Sequence, residues 1–321
     1  MNLQFADLDA DGHQDIVTAT FEGHAFVVRG KEGGWHEPEH VLDAEGRKIA
    51  LSLYYDMEAN KYDNVDRSPE GKKNPDDHLV SSVAMDWDAD GDLDLLLGAK
   101  EGRLYLQRNE GTAMEAKYTG VNELLTAGGR EFNVPGGLTA AKIVDWDRDG
   151  LDDLVCGSFG GGATLYRNTG KTDAPAFAAP VVLHAAAKTS DAGVSGPTTD
   201  WYVDVLDYDA DGQLDLVVGG HYQHAPKQPK LSAEQKKRLA ELDEEEADLS
   251  KKLSELFRSH AERIKDLDED EQDAANEAFY ESEEYQAIGE RMRALFGEIG
   301  ELRPSAKRVS GVWLYRGLAA G

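Results

Sequence analysis

The stretch Asp7-Leu-Asp-Ala-Asp-Gly-His-Gln-Asp15 occurs in four variants along this 321-residue chain. Every variant has aspartate at positions 1, 3, 5 and 9 and glycine at position 6, and an apolar run follows each one. The sixteen aspartates are Asp7, Asp9, Asp11, Asp15, Asp86, Asp88, Asp90, Asp94, Asp145, Asp147, Asp149, Asp153, Asp207, Asp209, Asp211 and Asp215. The four loops start 79, 59 and 62 residues apart. Recurrence at such intervals indicates a repeat architecture.

Four carboxylates gathered around one point need a counterion. Two like charges about 4 Å apart repel by roughly 4 kcal/mol at an effective dielectric near 20. Carboxylate oxygens are the ligands of hard cations, and Ca²⁺ accepts a more flexible geometry than Mg²⁺. The pattern therefore predicts about four Ca²⁺ sites, one in each loop. The alternative for a single copy is an ordinary solvated turn, but four intact copies favour bound ions.

The glycine at position 6 permits the sharp reversal that such a loop needs. The residue at position 7 is then expected to offer a backbone carbonyl to the ion. These residues are His13, Asp92, Leu151 and Gln213. The loops are not EF-hands, because the closing ligand is aspartate at position 9 rather than glutamate at position 12, and because the flanking segments have the pattern of strands.

Strand signals surround each loop. A short alternating segment precedes it, an apolar run follows it, and an aromatic strand ending in arginine comes next, as in Leu104–Arg108. A fourth strand is predicted at 121–125 and at 179–183. Four strands per unit at this period are typical of propeller blades. The polar stretch 56–77 is expected to be an insertion or a long loop.

This unit resembles the FG-GAP or VCBS repeat, which builds integrin α-chain propellers and many bacterial surface and secreted proteins. The resemblance covers about three quarters of the chain. It implies an all-β fold of four propeller blades, which form either a whole ring or part of a larger one, and in which the loop joins the first two strands of each blade and binds Ca²⁺. A closer resemblance is to planctomycete-type bacterial VCBS repeat proteins with a helical insertion. Neither resemblance implies an activity.

Residues 227–303 have a helical pattern instead. Ser232 and Gln235 form a capping-box signature, leucines then recur at three-four spacing, and Pro304 ends the pattern. Two long helices, from 232 to 267 and after a turn at 268–273, are expected to pack as an antiparallel coiled-coil hairpin. The chain is thereby divided into blades at 1–226, the hairpin at 227–303 and a last blade strand at 304–321. The hairpin is either a partner-docking arm or a surface decoration.

Composition limits the partners. The net charge is −28, and 230–303 contributes 22 acidic and 12 basic residues. Such a surface repels nucleic acid and anionic membranes and favours an unknown protein or carbohydrate ligand. No apolar run is long enough to insert into a membrane, and the single Cys156 excludes an internal disulfide. The chain starts almost inside a strand, so we expect an N-terminally truncated fragment of a secreted, periplasmic or cell-surface protein.

The preferred function is a calcium-binding propeller that serves as an extracellular binding or scaffold module, and not an enzyme. No nucleophile elbow, phosphate loop or zinc-protease motif occurs in the sequence. His221 and His224 are expected to be surface histidines, and the other histidines share no spacing.

The alternative is a carbohydrate-active enzyme, such as a polysaccharide lyase or hydrolase. It would use the basic and aromatic residues Lys61, Tyr62, Lys72, Lys73 and His78, if they converge.

Overall fold

The computed structural model describes residues 3–68, 74–188, 196–265 and 267–317. The chain forms two compact units. One comprises Met1–Tyr222 and Arg308–Gly321, and the other comprises Gln223–Lys307. Within the described ranges, the first unit consists of small antiparallel sheets and the second contains three helices. No described helix has the length and apolarity to cross a bilayer.

Four sheets in the first unit correspond to the four repeats. Sheet 1 contains β1 (Leu3–Ala6), β2 (Asp15–Ala19), β3 (Ala25–Val28) and β6 (Glu39–His40). Sheet 2 contains β9 (Leu79–Met85), β10 (Asp94–Ala99), β11 (Leu104–Gln107) and β12 (Glu123–Leu124). Sheet 3 contains β15 (Leu138–Val144), β16 (Asp153–Ser158), β17 (Ala163–Tyr166) and β18 (Val181–His184). Sheet 4 contains β19 (Thr199–Leu206), β20 (Asp215–His224) and β21 (Lys307–Tyr315).

The predicted strands on both sides of each acidic loop are present, and so are the fourth strands near 121–125 and 179–183. Three short hairpins were not predicted. They are β4 (Gly30–Lys31) with β5 (Gly34–Trp35), β7 (Leu53–Asp56) with β8 (Lys61–Asn64), and β13 (Thr126–Ala127) with β14 (Arg130–Glu131). The stretch 56–77 was expected to be an insertion or a long loop, and its first part forms a hairpin in which β8 pairs back on β7.

Successive sheets pack face to face. Three buried apolar clusters lie between successive sheets: one contains residues of sheets 1 and 2, one of sheets 2 and 3, and one of sheets 3 and 4. The first strands of the sheets also contact one another: the Gln4 amide bonds to both the N–H and the carbonyl of Ala84, and Lys142 Nζ donates to the carbonyl of Leu3 at 2.9 Å. Strands β10 and β16 are buried along their whole length, and burial of both faces explains the apolar run that follows the aspartate at the start of each.

The helical unit contains α1 (Ala233–Ile264), α2 (Glu269–Tyr280) and α3 (Glu283–Leu302). The capping box of Ser232 and Gln235 is confirmed, since each side chain bonds to the other residue's backbone N–H. The prediction of two helices was wrong, because a break at Ser282 divides the second one and Ser282 caps α3. Serine favours such a cap because its hydroxyl accepts a bond from the free N–H groups of the first turn.

Helices α1 and α3 pack antiparallel. Leu242, Leu295 and Ile299 form the buried seam between them. Arg291 Nε and Nη2 each lie 2.6 Å from a carboxylate oxygen of Glu245, so this ion pair is bidentate. Helix α1 follows β20 in sequence and α3 precedes β21, so the helices are inserted between two strands of sheet 4.

Candidate metal centres

Each acidic nonapeptide is the turn of a hairpin between the first two strands of its sheet. The aspartate at position 9 is the first residue of the second strand, and it pairs with the residue just before position 1. In sheet 2, for example, Asp94 pairs with Met85. The loop therefore lies where the sequence predicted it.

The backbone of each loop turns through two left-handed residues. Glycine at position 6 has φ between 86° and 94°, as expected. Position 4 was not predicted to be special, yet Ala10, Ala89, Arg148 and Ala210 have φ between 53° and 62°. Left-handed backbone is costly for residues with a side chain. Its recurrence at position 4 indicates that the rest of the loop imposes this conformation.

The position-1 and position-5 aspartates bind backbone N–H groups within the loop. In the second loop, Asp86 accepts from the N–H of Asp90 and of Gly91, both at 3.1 Å, and Asp90 accepts from the N–H of Asp92 at 3.0 Å. The other loops repeat the same three bonds, with distances of 2.7–3.1 Å. Thus the N–H of position 7, which belongs to His13, Asp92, Leu151 or Gln213, is bonded inside the loop.

The position-9 aspartate has a different partner set. Asp94 Oδ2 accepts from the N–H of Trp87 at 3.0 Å, and its Oδ1 accepts from the N–H of Asn109 at 2.7 Å. Asp15, Asp153 and Asp215 make the equivalent bonds. All four are buried, with at most 2% of their surface exposed. The position-9 aspartate thus connects its loop to the backbone two positions after the end of the third strand.

An arginine after the third strand of each sheet faces the position-3 aspartate. The Nη1–Oδ2 distances are 2.9 Å for Arg29–Asp9, 3.3 Å for Arg108–Asp88, 3.6 Å for Arg167–Asp147 and 3.3 Å for Arg316–Asp209. Sequence reasoning noted these arginines only as strand ends. Their recurrence in register was the signal that could have assigned them to the loops.

Each loop brings three aspartate oxygens within 4.8 Å of one another. Positions 1 and 3 take part in all four loops. Position 9 is the third member in two loops, and position 5 is the third in the other two. The groups are Asp7, Asp9 and Asp15; Asp86, Asp88 and Asp90; Asp145, Asp147 and Asp149; and Asp207, Asp209 and Asp215.

The donor set fits a hard divalent cation. Oδ1 of Asp9 and Oδ1 of Asp147 are buried without a hydrogen-bond partner, while their Oδ2 atoms face arginine. Burial raises the pKa of Asp9, Asp94 and Asp153 above the ordinary value. In the second loop, burial and then the neighbouring aspartates raise the pKa of Asp92 to about 6. A bound cation would give the unpartnered oxygens a partner and would neutralise the negative charge that burial disfavours.

Other predicted residues have different surroundings. His221 is buried rather than at the surface, so that expectation was wrong. Its Nδ1 lies 3.0 Å from Asp200 Oδ2 and its Nε2 lies 3.1 Å from Thr199 Oγ1, whereas His224 is exposed. Cys156 is buried in β16.

A pocket of about 400 Å³ is lined by residues that belong to the four sheets or to the loops after their strands. Two of the residues named for an enzyme, Tyr62 and His78, line it, with ring centroids 6.2 Å apart. Lys100, Phe159 and Tyr202 line it as well. Lys72 and Lys73 lie outside the described residues.

A second cluster, which sequence reasoning missed, contains Glu22, His24 and His40. Burial, and then the neighbouring charges of His40, Lys48, Arg67 and His78, lower the pKa of His24 to about 4. Burial also lowers the pKa of His40. The histidines are 16 residues apart, and only the pairing of β3 with β6 brings them together.

Comparisons with known proteins agree with the repeat. Residues 145–218 match the model of the FG-GAP-like repeat family. The third and fourth acidic loops lie within this range. No curated protein matches the chain. One matching solved structure is described as the crystal structure of BBS1N in complex with ARL6DN, soaked with lead. It has 11% sequence identity and a TM-score of 0.29, and the match covers 69% of this chain and 76% of that chain.

Proposed function

We propose that this chain is a calcium-binding, β-propeller-like module that binds an extracellular ligand or organises other proteins. The observation that carries the proposal is the fourfold repetition of one loop geometry, in which the same aspartates make the same bonds. The FG-GAP-like match at 145–218 supports it. The contacts among the first strands of the sheets support an arrangement of four blades around an axis.

The ion's role in this proposal is structural. The position-1, position-3 and position-5 aspartates, with the position-7 carbonyl, would hold Ca²⁺, and the buried position-9 aspartate would close the site. A site filled at 100 times its Kd contributes about 2.7 kcal/mol, so four independent sites would contribute roughly 11 kcal/mol. That sum is comparable with the whole stability of a domain, about 5–15 kcal/mol.

Metal removal tests this role directly. We expect EDTA to lower the melting temperature by roughly 20–40 °C as an upper estimate, since 1 kcal/mol shifts a domain of this size by about 2–4 °C. Ca²⁺ should restore the transition at lower concentration than Mg²⁺, because the loops offer flexible all-oxygen ligation. An unchanged melting temperature in EDTA would refute the proposal.

A single-loop variant provides the matched comparison. Asp147→Asn removes one carboxylate whose Oδ1 is buried and unpartnered, whereas Asp173→Asn changes an exposed aspartate outside the loops. Equilibrium dialysis at a Ca²⁺ concentration that just saturates the wild type should find one fewer bound Ca²⁺ for the first variant and the wild-type number for the second. Equal calcium content in both would contradict the assignment of the loops.

The location proposed for the protein is outside the cytoplasm. Extracellular calcium modules bind with Kd of about 10⁻⁴–10⁻³ M, and such weak sites fill where calcium is abundant. Calorimetric titration of Ca²⁺ checks this. A submicromolar Kd at all four loops would instead suit a cytosolic calcium buffer.

A carbohydrate-active enzyme is the second candidate, because Tyr62, His78 and Lys100 line the four-sheet pocket together. Aromatic rings suit sugar faces, and a tyrosine or histidine can act as the base of a lyase. We would incubate the protein with anionic and neutral polysaccharides and follow unsaturated products by ultraviolet absorbance. Turnover that is lost in Tyr62→Phe and His78→Ala favours the enzyme. Binding without turnover favours the module.

The helical unit is proposed as a docking arm for another protein. It carries a net charge of −10 over 230–303, so a cationic partner surface is favoured. The net charge of −28 disfavours nucleic acid and anionic membranes as partners of the whole chain.

A further inference from the structure

The cluster of Glu22, His24 and His40 lies at the opposite end of sheet 1 from the acidic loop. Glu22 is in the turn between β2 and β3, and His24 precedes β3 by one residue. His40 is the second residue of β6, where it pairs with Phe26 of β3. The acidic loop connects β1 to β2, so the length of β2 separates the two groups. The cluster is therefore no part of the calcium loop.

The three donor atoms have the spacing of a metal site. Nδ1 of His24 and Nε2 of His40 each lie 3.7 Å from Oε2 of Glu22, and the three atoms lie within 4.8 Å of one another. Zinc bonds of about 2.0–2.1 Å at tetrahedral angles place neighbouring ligand atoms about 3.3 Å apart. A closure of a few tenths of an ångström brings both nitrogen–oxygen distances to that value.

The two imidazole nitrogens that face Glu22 have no hydrogen-bond partner. Nδ1 of His24 and Nε2 of His40 are both buried and unsatisfied among the described residues. His24 is only 5% exposed. Buried polar atoms in native proteins are almost always satisfied, and an exception calls for an explanation such as an ion.

Packing holds both rings in place. The ring centroid of His24 lies 5.0 Å from that of Tyr54 and 5.4 Å from that of His40. The ring of His40 lies 4.0 Å from that of Phe26. Ligands that are fixed by their surroundings need little reorganisation when an ion binds.

The positive charges of the nearby basic residues are offset by acidic groups, so they do not prevent a cation from binding to the cluster. Arg67 Nη1 lies 2.6 Å from a buried oxygen of Asp43, and its Nη2 donates to the carbonyl of Lys48 at 3.0 Å, so its charge is already paired. Lys48 lines the adjoining pocket, but the acidic residues Asp56 and Glu58 line it too. The pocket measures about 510 Å³ and is open to solvent.

We propose that Glu22, His24 and His40 bind one divalent first-row transition ion, represented by Zn²⁺, with a further coordination position open to this pocket. Two imidazoles and one carboxylate suit zinc or iron rather than calcium, which prefers oxygen ligands throughout. The open position would take water or an oxygen-donor ligand. The site is thus chemically distinct from the acidic loops.

The test is calorimetric titration of Zn²⁺ into the full chain in excess Ca²⁺, which keeps the acidic loops occupied. We expect one Zn²⁺ per chain. His40→Ala should weaken binding by more than the roughly 10–100-fold that loss of an outer-shell partner costs. The control His36→Ala removes an exposed histidine four residues earlier and should bind as wild type does.

A second variant keeps the test decisive if His40→Ala does not fold. Glu22→Gln preserves the size of the side chain and removes the ligand charge, and its circular dichroism is compared with that of the wild type. Folded Glu22→Gln with wild-type Zn²⁺ affinity overturns the proposal. So does the absence of tight binding to the wild type, or Zn²⁺ binding that falls in proportion as Ca²⁺ is raised, since that ion would sit in the loops.

Discussion

The Arg108 guanidinium lies 3.3 Å from the Asp88 carboxylate, although 20 residues separate them in sequence. The same pair recurs in the other three sheets. The position-3 aspartate thus has one oxygen facing arginine, and in Asp9 and Asp147 the other oxygen is buried without a partner. The arginine partly neutralises the loop from the side of the third strand and orients the remaining oxygen.

Replacement of this arginine is expected to matter most when calcium is absent. Arg108→Gln should lower the free energy of unfolding by about 1 kcal/mol in EDTA, because the aspartates then lose a nearby positive charge. In saturating Ca²⁺ the loss should be smaller, since the ion neutralises the loop. Urea titrations in both buffers measure the difference. Lys117→Gln, at an exposed pair with Glu115, is the control. Equal losses in the two buffers for Arg108→Gln would count against the neutralisation of the loop by Arg108.

The position-3 and position-9 aspartates should respond differently to metal. Asp94→Asn places an amide N–H₂ group against a backbone donor, which should cost about 1–3 kcal/mol even in EDTA, and the cost should rise in Ca²⁺ because the closing ligand is also lost. Asp88→Asn removes a ligand, so its cost should appear only in Ca²⁺, at roughly 1.4–2.7 kcal/mol for a 10–100-fold loss of affinity. Unfolding titrations with Ca²⁺ and with EDTA give the four values. A cost of Asp94→Asn that vanishes in EDTA, as that of Asp88→Asn should, would refute the distinction.

The two left-handed positions of the loop offer a backbone test. A Cβ at Gly91 would meet nothing within 4 Å, so its φ of 94° is the whole reason for glycine. Gly91→Ala should cost about 1–2 kcal/mol. Ala89→Gly, at φ 59°, should change stability by less than about 0.5 kcal/mol, because relief of the left-handed strain offsets the greater freedom of the unfolded chain. Thermal unfolding of both variants measures these costs. A small effect of both changes would show that the loop backbone adjusts to either residue, against the prediction for Gly91→Ala.

Asp43 should make stability depend on pH. Its side chain is fully buried, which acts to raise its pKa, but hydrogen bonds from Arg47, Arg67 and the backbone N–H of Glu45 outweigh burial and lower the pKa below 3.8. The folded state therefore favours the carboxylate, and this stabilisation is present above about pH 4 and lost as pH falls through the lowered pKa. The cost of Asp43→Asn should be largest near pH 7 and shrink below pH 4. Asp173→Asn, at an exposed site, is the control, and a constant cost for Asp43→Asn would contradict the assignment.

Much of the β structure was predictable because its determinants are local. The aspartates and glycine of each loop specify a turn, and the apolar runs after them specify buried strands. The helix start at Ser232 was predictable for the same reason, since its cap involves Gln235 only three residues away. The break at Ser282 was missed, because the apolar spacing continues past it and hides the serine cap.

The nonapeptides by themselves determined where the loops are, which strands they connect and which oxygens they can offer to an ion. Only the tertiary structure decided that Arg108 faces Asp88, that Tyr62 and His78 share a pocket, and that His24 meets His40 beside Glu22. Turn chemistry acts over a few residues and leaves a mark in the sequence. Contacts between strands depend on register and on sheet packing, which bring together residues whose spacing carries no pattern.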